Sequence, residues 1–164
     1  MNTFKQINIE LPKEEKFRIL IPQVKSLIED EDNFVANLSN ITSAIKYTFG
    51  DISWVGFYFI DKMNPAQLVL GPFQGKVACT RLALNKGVCS AAVMKKESVV
   101  VNDVEKFPGH IYCDPDARSE IVIPVIKNNN VIAVLDIDSN KLNTFDDTDK
   151  KNFEVLIKNI LSIF

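Results

Sequence analysis

Three cysteines, a single histidine and a cluster of acids are the residues of this sequence whose chemistry goes beyond packing. Cys79 lies in KVACTR, Cys89 in KGVCSAA, and Cys113 in HIYCDPDARSEI, where it follows His110 and shares a polar loop with Asp114, Asp116 and Glu120. A thiol reacts as its thiolate, and nearby negative charge favours the protonated form. Acids crowded around Cys113 therefore need a reason.

Each candidate has a chemical reading and a plainer one. Cys113 in a polar loop has no packing reason to be cysteine, which points to a chemical role. Cys79 opens an expected strand after a loop containing Gly71, Pro72 and Gly75, where its thiol can face a pocket. Cys89, beside Val88 and Ala91, serves equally well as a small buried hydrophobe. An odd number of cysteines without a CxxC pair argues against a disulfide framework, and with one histidine a four-ligand zinc site would need an unusual ligand set. His110 could take a proton from a thiol. The plainer reading, a bond to a backbone carbonyl after the Pro108–Gly109 turn, is the one expected.

The carboxylates Glu120, Asp136 and Asp138 form the next set. Strand alternation in LDID points Asp136 and Asp138 to one face and Leu135 and Ile137 to the other. If the acidic face lines a pocket, these groups bind a cation or hold a proton at neutral pH. Otherwise Asp138, Ser139 and Asn140 make a solvated turn. In SWVGFYFI the same alternation sends Val55, Phe57 and Phe59 to the core and Trp54, Gly56 and Tyr58 to the opposite face, a wall suited to a small apolar group such as a thioether methyl.

The elements that must position these groups follow from periodicity. Residues 11–29 carry Phe17, Leu20, Ile21, Val24, Leu27 and Ile28 at helical spacing, with Pro22 expected to kink or interrupt the helix. A second helix is expected over 34–49 with Gly50 as its stop, and a third after TFDDTD, opened by a capping box from Thr144 to Asp147. Between them lie short β-rich runs: SWVGFYFI, QLVLGPF, CTRLAL, SVVV, EIVIPVI and VIAVLDID. The NNN segment predicts a tight hairpin between 121–127 and 131–138, and GVCSAAVMKKE a short helix across the sheet. Helices at both ends of an antiparallel sheet give an α+β layer fold: terminal helices cover one face, and loops build a pocket on the other.

Composition sets the outer limits. With 164 residues, 46% hydrophobic, 24% charged and a net charge of −2, the chain reads as one globular domain over residues 1–164. No broad basic field is available for nucleic acid. The amino-terminal stretch lacks an apolar leader core and no run is long enough to cross a bilayer, so a cytoplasmic location is expected.

Taken together, WVGFYF, LVLGPFQGKVACTR, GVCSAA, FPGHIYCD, SEIVIPV and VLDIDS, in that order, resemble the free methionine-(R)-sulfoxide reductases, a catalytic branch of the GAF-domain superfamily. The resemblance implies a GAF-like antiparallel sheet of about six strands. It implies Cys113 as the cysteine that attacks the sulfoxide sulfur, Cys79 as its main resolving partner and Cys89 as an auxiliary thiol. Glu120, Asp136 and Asp138 would hold the free amino acid and assist proton transfer, with Trp54 and Tyr58 as aromatic contacts. Thioredoxin would restore the thiols, and no metal or organic cofactor would be needed. A sulfoxide oxygen must be protonated before sulfur accepts a thiolate, and free methionine sulfoxide carries an ammonium group, so acids beside a thiol fit such a reaction. The alternative is a noncatalytic GAF module that binds a small molecule. A homodimer through the terminal helices is a further expectation, although packing on the sheet explains their apolar stripes equally well.

Overall fold

Helical periodicity in the amino-terminal third becomes two helices, α1 (Lys13–Ile28) and α2 (Phe34–Thr48), in a computed structural model that describes residues 4–164. Residues 1–3, part of the expected single domain and of the stretch read for a leader, lie outside the described residues. Pro22 sits inside α1 without ending it. The lost N–H leaves one carbonyl of the preceding turn unpaired within the helix, and burial of Phe17, Leu20, Val24 and Ile28 along one stripe keeps the helix in place. Asn33 caps α2 by accepting from the Ala36 N–H at 2.9 Å.

The sheet has six strands in the order β3-β2-β1-β6-β5-β4. They are β1 (Trp54–Ile60), β2 (Gln67–Gln74), β3 (Arg81–Ala83), β4 (Val99–Val101), β5 (Ser119–Lys127) and β6 (Asn130–Ser139), every neighbouring pair antiparallel. The hairpin between β5 and β6 turns on Asn128 and Asn129, with φ of 50° and 62°, the left-handed pair that asparagine tolerates and a two-residue loop needs. A short helix, α3 (Val88–Lys95), lies between β3 and β4, and α4 (Asp147–Ile160) closes the chain.

Sheet parity divides the apolar residues into two clusters. Val55, Phe57, Ile121, Ile123, Leu135 and Ile137 pack against α1, α2 and α4. Trp54, Tyr58, Val122 and Val134 face the other way, with α3 and the loops. The fold is therefore the expected α+β arrangement, with the terminal helices on one face of a six-stranded antiparallel sheet and loops on the other.

Two local expectations are corrected. The capping box of α4 is formed by Asp146 and Asp149, not by Thr144 and Asp147: Asp146 accepts from the N–H groups of Thr148 and Asp149, while its own N–H donates to Asp149 Oδ2. The Thr144 hydroxyl is already engaged with Ser139 Oγ at 2.8 Å. Cys79 does not open β3 but lies two residues before it: hydrogen bonding to β2 starts at the Thr80 carbonyl, which accepts from Leu70, and strand pairing at Arg81.

Candidate active site: a thiol pair above three buried acids

Register builds the floor of the site. On the face away from the terminal helices, Trp54 of β1 pairs with Asp138 of β6, which pairs in turn with Glu120 of β5. One step along, Gly56 pairs with Asp136. Three carboxyl groups thus converge on the middle of a sheet, where like charges side by side would repel. Burial eases the conflict by favouring their protonated forms. Glu120 and Asp136 are buried, and loss of solvation pushes both carboxyls well above the usual carboxylate range, with the charge of Asp138 adding to the effect on Glu120 and that of Glu120 to the effect on Asp136. Asp138 is raised well above its ordinary value for the same first reason, reinforced by Asp136 and Asp114. Carboxyl oxygens of Glu120 and Asp136 lie within 4.8 Å of one another, close enough for each charge to disfavour the other.

Gly56 creates the room for the aromatic wall. A Cβ there would fall 2.4 Å from the Trp54 ring and 2.6 Å from Cβ of Phe73. Trp54 stacks between Phe73, at 5.5 Å, and Tyr58, at 5.9 Å. Both polar tips are engaged with the backbone of the loop that leads to Cys79: the indole N–H donates to the Lys76 carbonyl at 3.0 Å, and the Tyr58 hydroxyl donates to the Cys79 carbonyl at 2.9 Å. What these rings offer the cleft is therefore apolar surface.

Above the acids, Cys79 and Cys113 are joined by a disulfide, with a Cα–Cα distance of 5.4 Å across 34 residues of sequence. Cys113 lines the same cleft as Glu120, Asp136, Asp138, Trp54 and Tyr58, a space of about 580 Å³ that includes open solvent. Cys89 lies in the first turn of α3, buried and free. Burial pushes its thiol well above the ordinary range, with Asp136 and Glu120 adding to the effect, so the thiol is held in its neutral form. Cys89 is thus packed, and its sulfur lies within 4.8 Å of oxygens of Glu120 and Asp136.

Cys89, Glu120 and Asp136 offer donor atoms that lie within 4.8 Å of one another, a spacing a divalent ion could use. All three are biased by burial toward their protonated forms, which do not bind metal.

Two residues behave differently from their sequence reading. His110 neither bonds a backbone carbonyl through its ring nor turns its Nε2 to a thiol: Nε2 stands 3.2 Å from Glu120 Oε2. Burial lowers its pKa, so the ring is biased toward neutrality. Lys76, passed over in the sequence, reaches both Asp114, at 3.2 Å, and Asp116. It neutralises the two acids nearest Cys113 and ties the Cys79 loop to the Cys113 loop. Its position three residues before Cys79 was the available signal, but its partners lie about forty residues on, beyond any local pattern.

The pattern of the GAF-domain family matches residues 37–163. The chain is 43% identical to a free methionine-R-sulfoxide reductase of Saccharomyces cerevisiae over 90% of its own length and 85% of that protein. This chain belongs to the free methionine-R-sulfoxide reductase family of GAF domains. A GAF domain-containing protein A of Dictyostelium discoideum is 49% identical, over 89% of this chain and 90% of its own. In structure, the family member from Neisseria meningitidis, solved in complex with its substrate, superposes with a TM-score of 0.94 at 41% identity, covering 100% of this chain and 96% of its own. Among the described residues no helix is long and apolar enough to cross a membrane.

Proposed function

We propose that this protein reduces free L-methionine-(R)-sulfoxide to methionine. The observation that carries the reading is the Cys79–Cys113 disulfide beside a cleft floored by three acids whose pKa values burial raises, in a chain whose relatives bear that activity in their names.

In the reduced protein the thiolate of Cys113 attacks the sulfoxide sulfur while a carboxylic acid of the floor protonates the oxygen. The S–O bond breaks, methionine leaves, and the oxygen remains on Cys113 as a sulfenic acid. The Cys79 thiol attacks that sulfur, water departs, and the disulfide forms. A dithiol protein of the thioredoxin type then gives up two electrons and two protons by exchange, in the reducing, cytoplasmic compartment that the sequence suggested. Over one cycle, a sulfoxide and a dithiol become methionine, a disulfide and water.

Glu120, Asp136 and Asp138 hold the substrate, their carboxyl oxygens accepting hydrogen bonds from its ammonium group, and Trp54 and Tyr58 receive its methyl end. Glu120 is the acid best placed to deliver the proton, since His110 braces it from behind. Cys89 stands beside the floor as an auxiliary thiol, outside the two-cysteine cycle. Lys76 removes the electrostatic objection to a reactive Cys113 by occupying Asp114 and Asp116.

The test is consumption of the separated R and S forms of free methionine sulfoxide by the protein with dithiothreitol. The R form should disappear and the S form persist. Absence of turnover with either form would refute the reading.

A further inference from the structure

Building on the reductase reading, we propose that the protein restoring the thiols attacks the sulfur of Cys79, not that of Cys113, and docks on an apolar face made by Val77 and Tyr112. Both cysteines are half-buried against the same apolar cluster, but of the two sulfur-bearing residues only Cys113 lines the cleft, while Val77 and Ala78 bring the Cys79 loop to its rim. Thiolate attack on a disulfide runs along the line of the S–S bond, from the side opposite the sulfur that leaves. To strike Cys113, the incoming thiolate would have to approach through the cleft, a space fitted to an amino acid. To strike Cys79, it approaches from outside, with Cys113 as the leaving group on the cleft side. The second route is the one that does not require a folded protein to enter the cleft.

The surface around that route has an unusual composition. Val77, two residues before Cys79, is 89% exposed, and Tyr112, next to Cys113, is 59% exposed. Val77 stands at the rim of the cleft, which it also lines, and Val77 and Tyr112 sit on the two loops that carry the disulfide, each largely open to solvent. The Tyr112 ring is braced edge-on against His110, with centroids 4.7 Å apart at 85°. Lys76 fastens the two loops through Asp114 and Asp116, so the pair forms one surface rather than two separate tips. Because this surface is continuous with the disulfide that must be reduced, its occupant is the dithiol protein that reduces it.

The exchange balances in two steps. A thiolate of the reductant bonds to Cys79 Sγ as the Cys79–Cys113 bond breaks, and Cys113 departs with the electron pair as a thiolate, already in the cleft as the next nucleophile. The reductant's second thiol then attacks its own sulfur in the mixed disulfide and releases Cys79, so the reductant leaves oxidised and both cysteines of this chain are reduced.

The oxidised full-length protein is mixed with a thioredoxin whose second active-site cysteine has been changed to serine, quenched with acid within seconds, alkylated and mapped by mass spectrometry. The mixed disulfide should be found on Cys79, with Cys113 alkylated; a mixed disulfide on Cys113 or on Cys89 overturns the proposal. Separately, reduction of the disulfide is timed in the double variant Val77→Ser, Tyr112→Ser. Its rate with intact thioredoxin should fall about tenfold, as for loss of apolar anchors at a small interface, while its rate with dithiothreitol stays unchanged. Equal effects on both reductants, or none on thioredoxin, contradict the docking face. Neither readout uses the sulfoxide, so failure here is distinct from failure of the reductase reading, which would appear as no sulfoxide consumption with dithiothreitol.

Discussion

The imidazole of His110 meets the carboxyl of Glu120, Nε2 to Oε2 at 3.2 Å, with both side chains more than nine-tenths buried. Burial biases the two partners oppositely on the pH scale, lowering the histidine and raising the acid, and so favours the neutral form of each. A neutral pair can hold a proton on the acid without a charge in the cleft, the condition a proton donor needs. The other ring nitrogen, Nδ1, is buried without a hydrogen-bond partner. His110 thus acts through Glu120 and is a positioning residue.

Replacing His110 by leucine removes the brace and should lower kcat about tenfold, of the order expected when a buried polar partner is lost, with little change in KM. Glutamine, which can restore a donor to Glu120, should recover part of the loss. If leucine and glutamine act alike, or if only KM changes, the positioning role is wrong. Steady-state kinetics at saturating reductant make the measurement.

Single-cysteine variants separate the two halves of the cycle. Cys113→Ser should abolish reduction of the R sulfoxide, whereas Cys79→Ser should yield about one methionine per chain and then stall. Methionine counted by chromatography after one rapid mix distinguishes them. Steady turnover by Cys113→Ser would remove the assignment of the nucleophile.

The acids also govern stability. Folding raises the pKa of Asp136, so the native state binds that proton more tightly than the unfolded chain. Stability from this source is greatest where the native carboxyl is protonated and declines as pH climbs from the ordinary aspartate value toward the raised one. Asp136→Asn, which cannot ionise, should therefore gain in Tm relative to the parent between pH 5 and pH 8. For a domain of this size, about 1 kcal/mol corresponds to about 2–4 °C. A difference in Tm that is the same at both pH values would contradict the burial of a titrating acid.

Gly56 tests the aromatic wall. Alanine there must displace the Trp54 ring or Phe73, since its Cβ would stand 2.4 Å and 2.6 Å from them. Overpacking of this kind costs about 1–3 kcal/mol. Gly56→Ala should lower Tm and raise KM for the sulfoxide, because the shifted ring intrudes on the methyl end of the cleft. An unchanged KM with a lowered Tm would separate Trp54 from substrate contact.

Much of this architecture was legible because parity and turn chemistry are local. Period-two alternation placed Trp54 and Tyr58 on one face and Val55 and Phe57 on the other, and it put Asp136 beside Asp138. The asparagine run marked its own hairpin. The sequence was silent where the partner is remote or where two local signals compete. Lys76 meets Asp114 and Asp116 across two loops, and His110 meets Glu120 only after the chain has turned back into β5. Thr144 and Asp146 both resemble helix caps, and the contest is decided by Ser139, whose hydroxyl engages Thr144 and leaves Asp146 to cap α4. Residue identity alone did not show that the indole and phenol tips would be consumed by the loop before Cys79.

The central claim is that one sulfoxide oxidises one pair of thiols in this cleft. Fully reduced protein, freed of small reductant, is mixed with one equivalent of free methionine-(R)-sulfoxide, and the methionine released and the pairing of sulfurs are measured together. The account predicts one methionine per chain, a new Cys79–Cys113 bond and a Cys89 that remains a free thiol. Methionine formed with all three thiols intact, or no methionine at all, would contradict it.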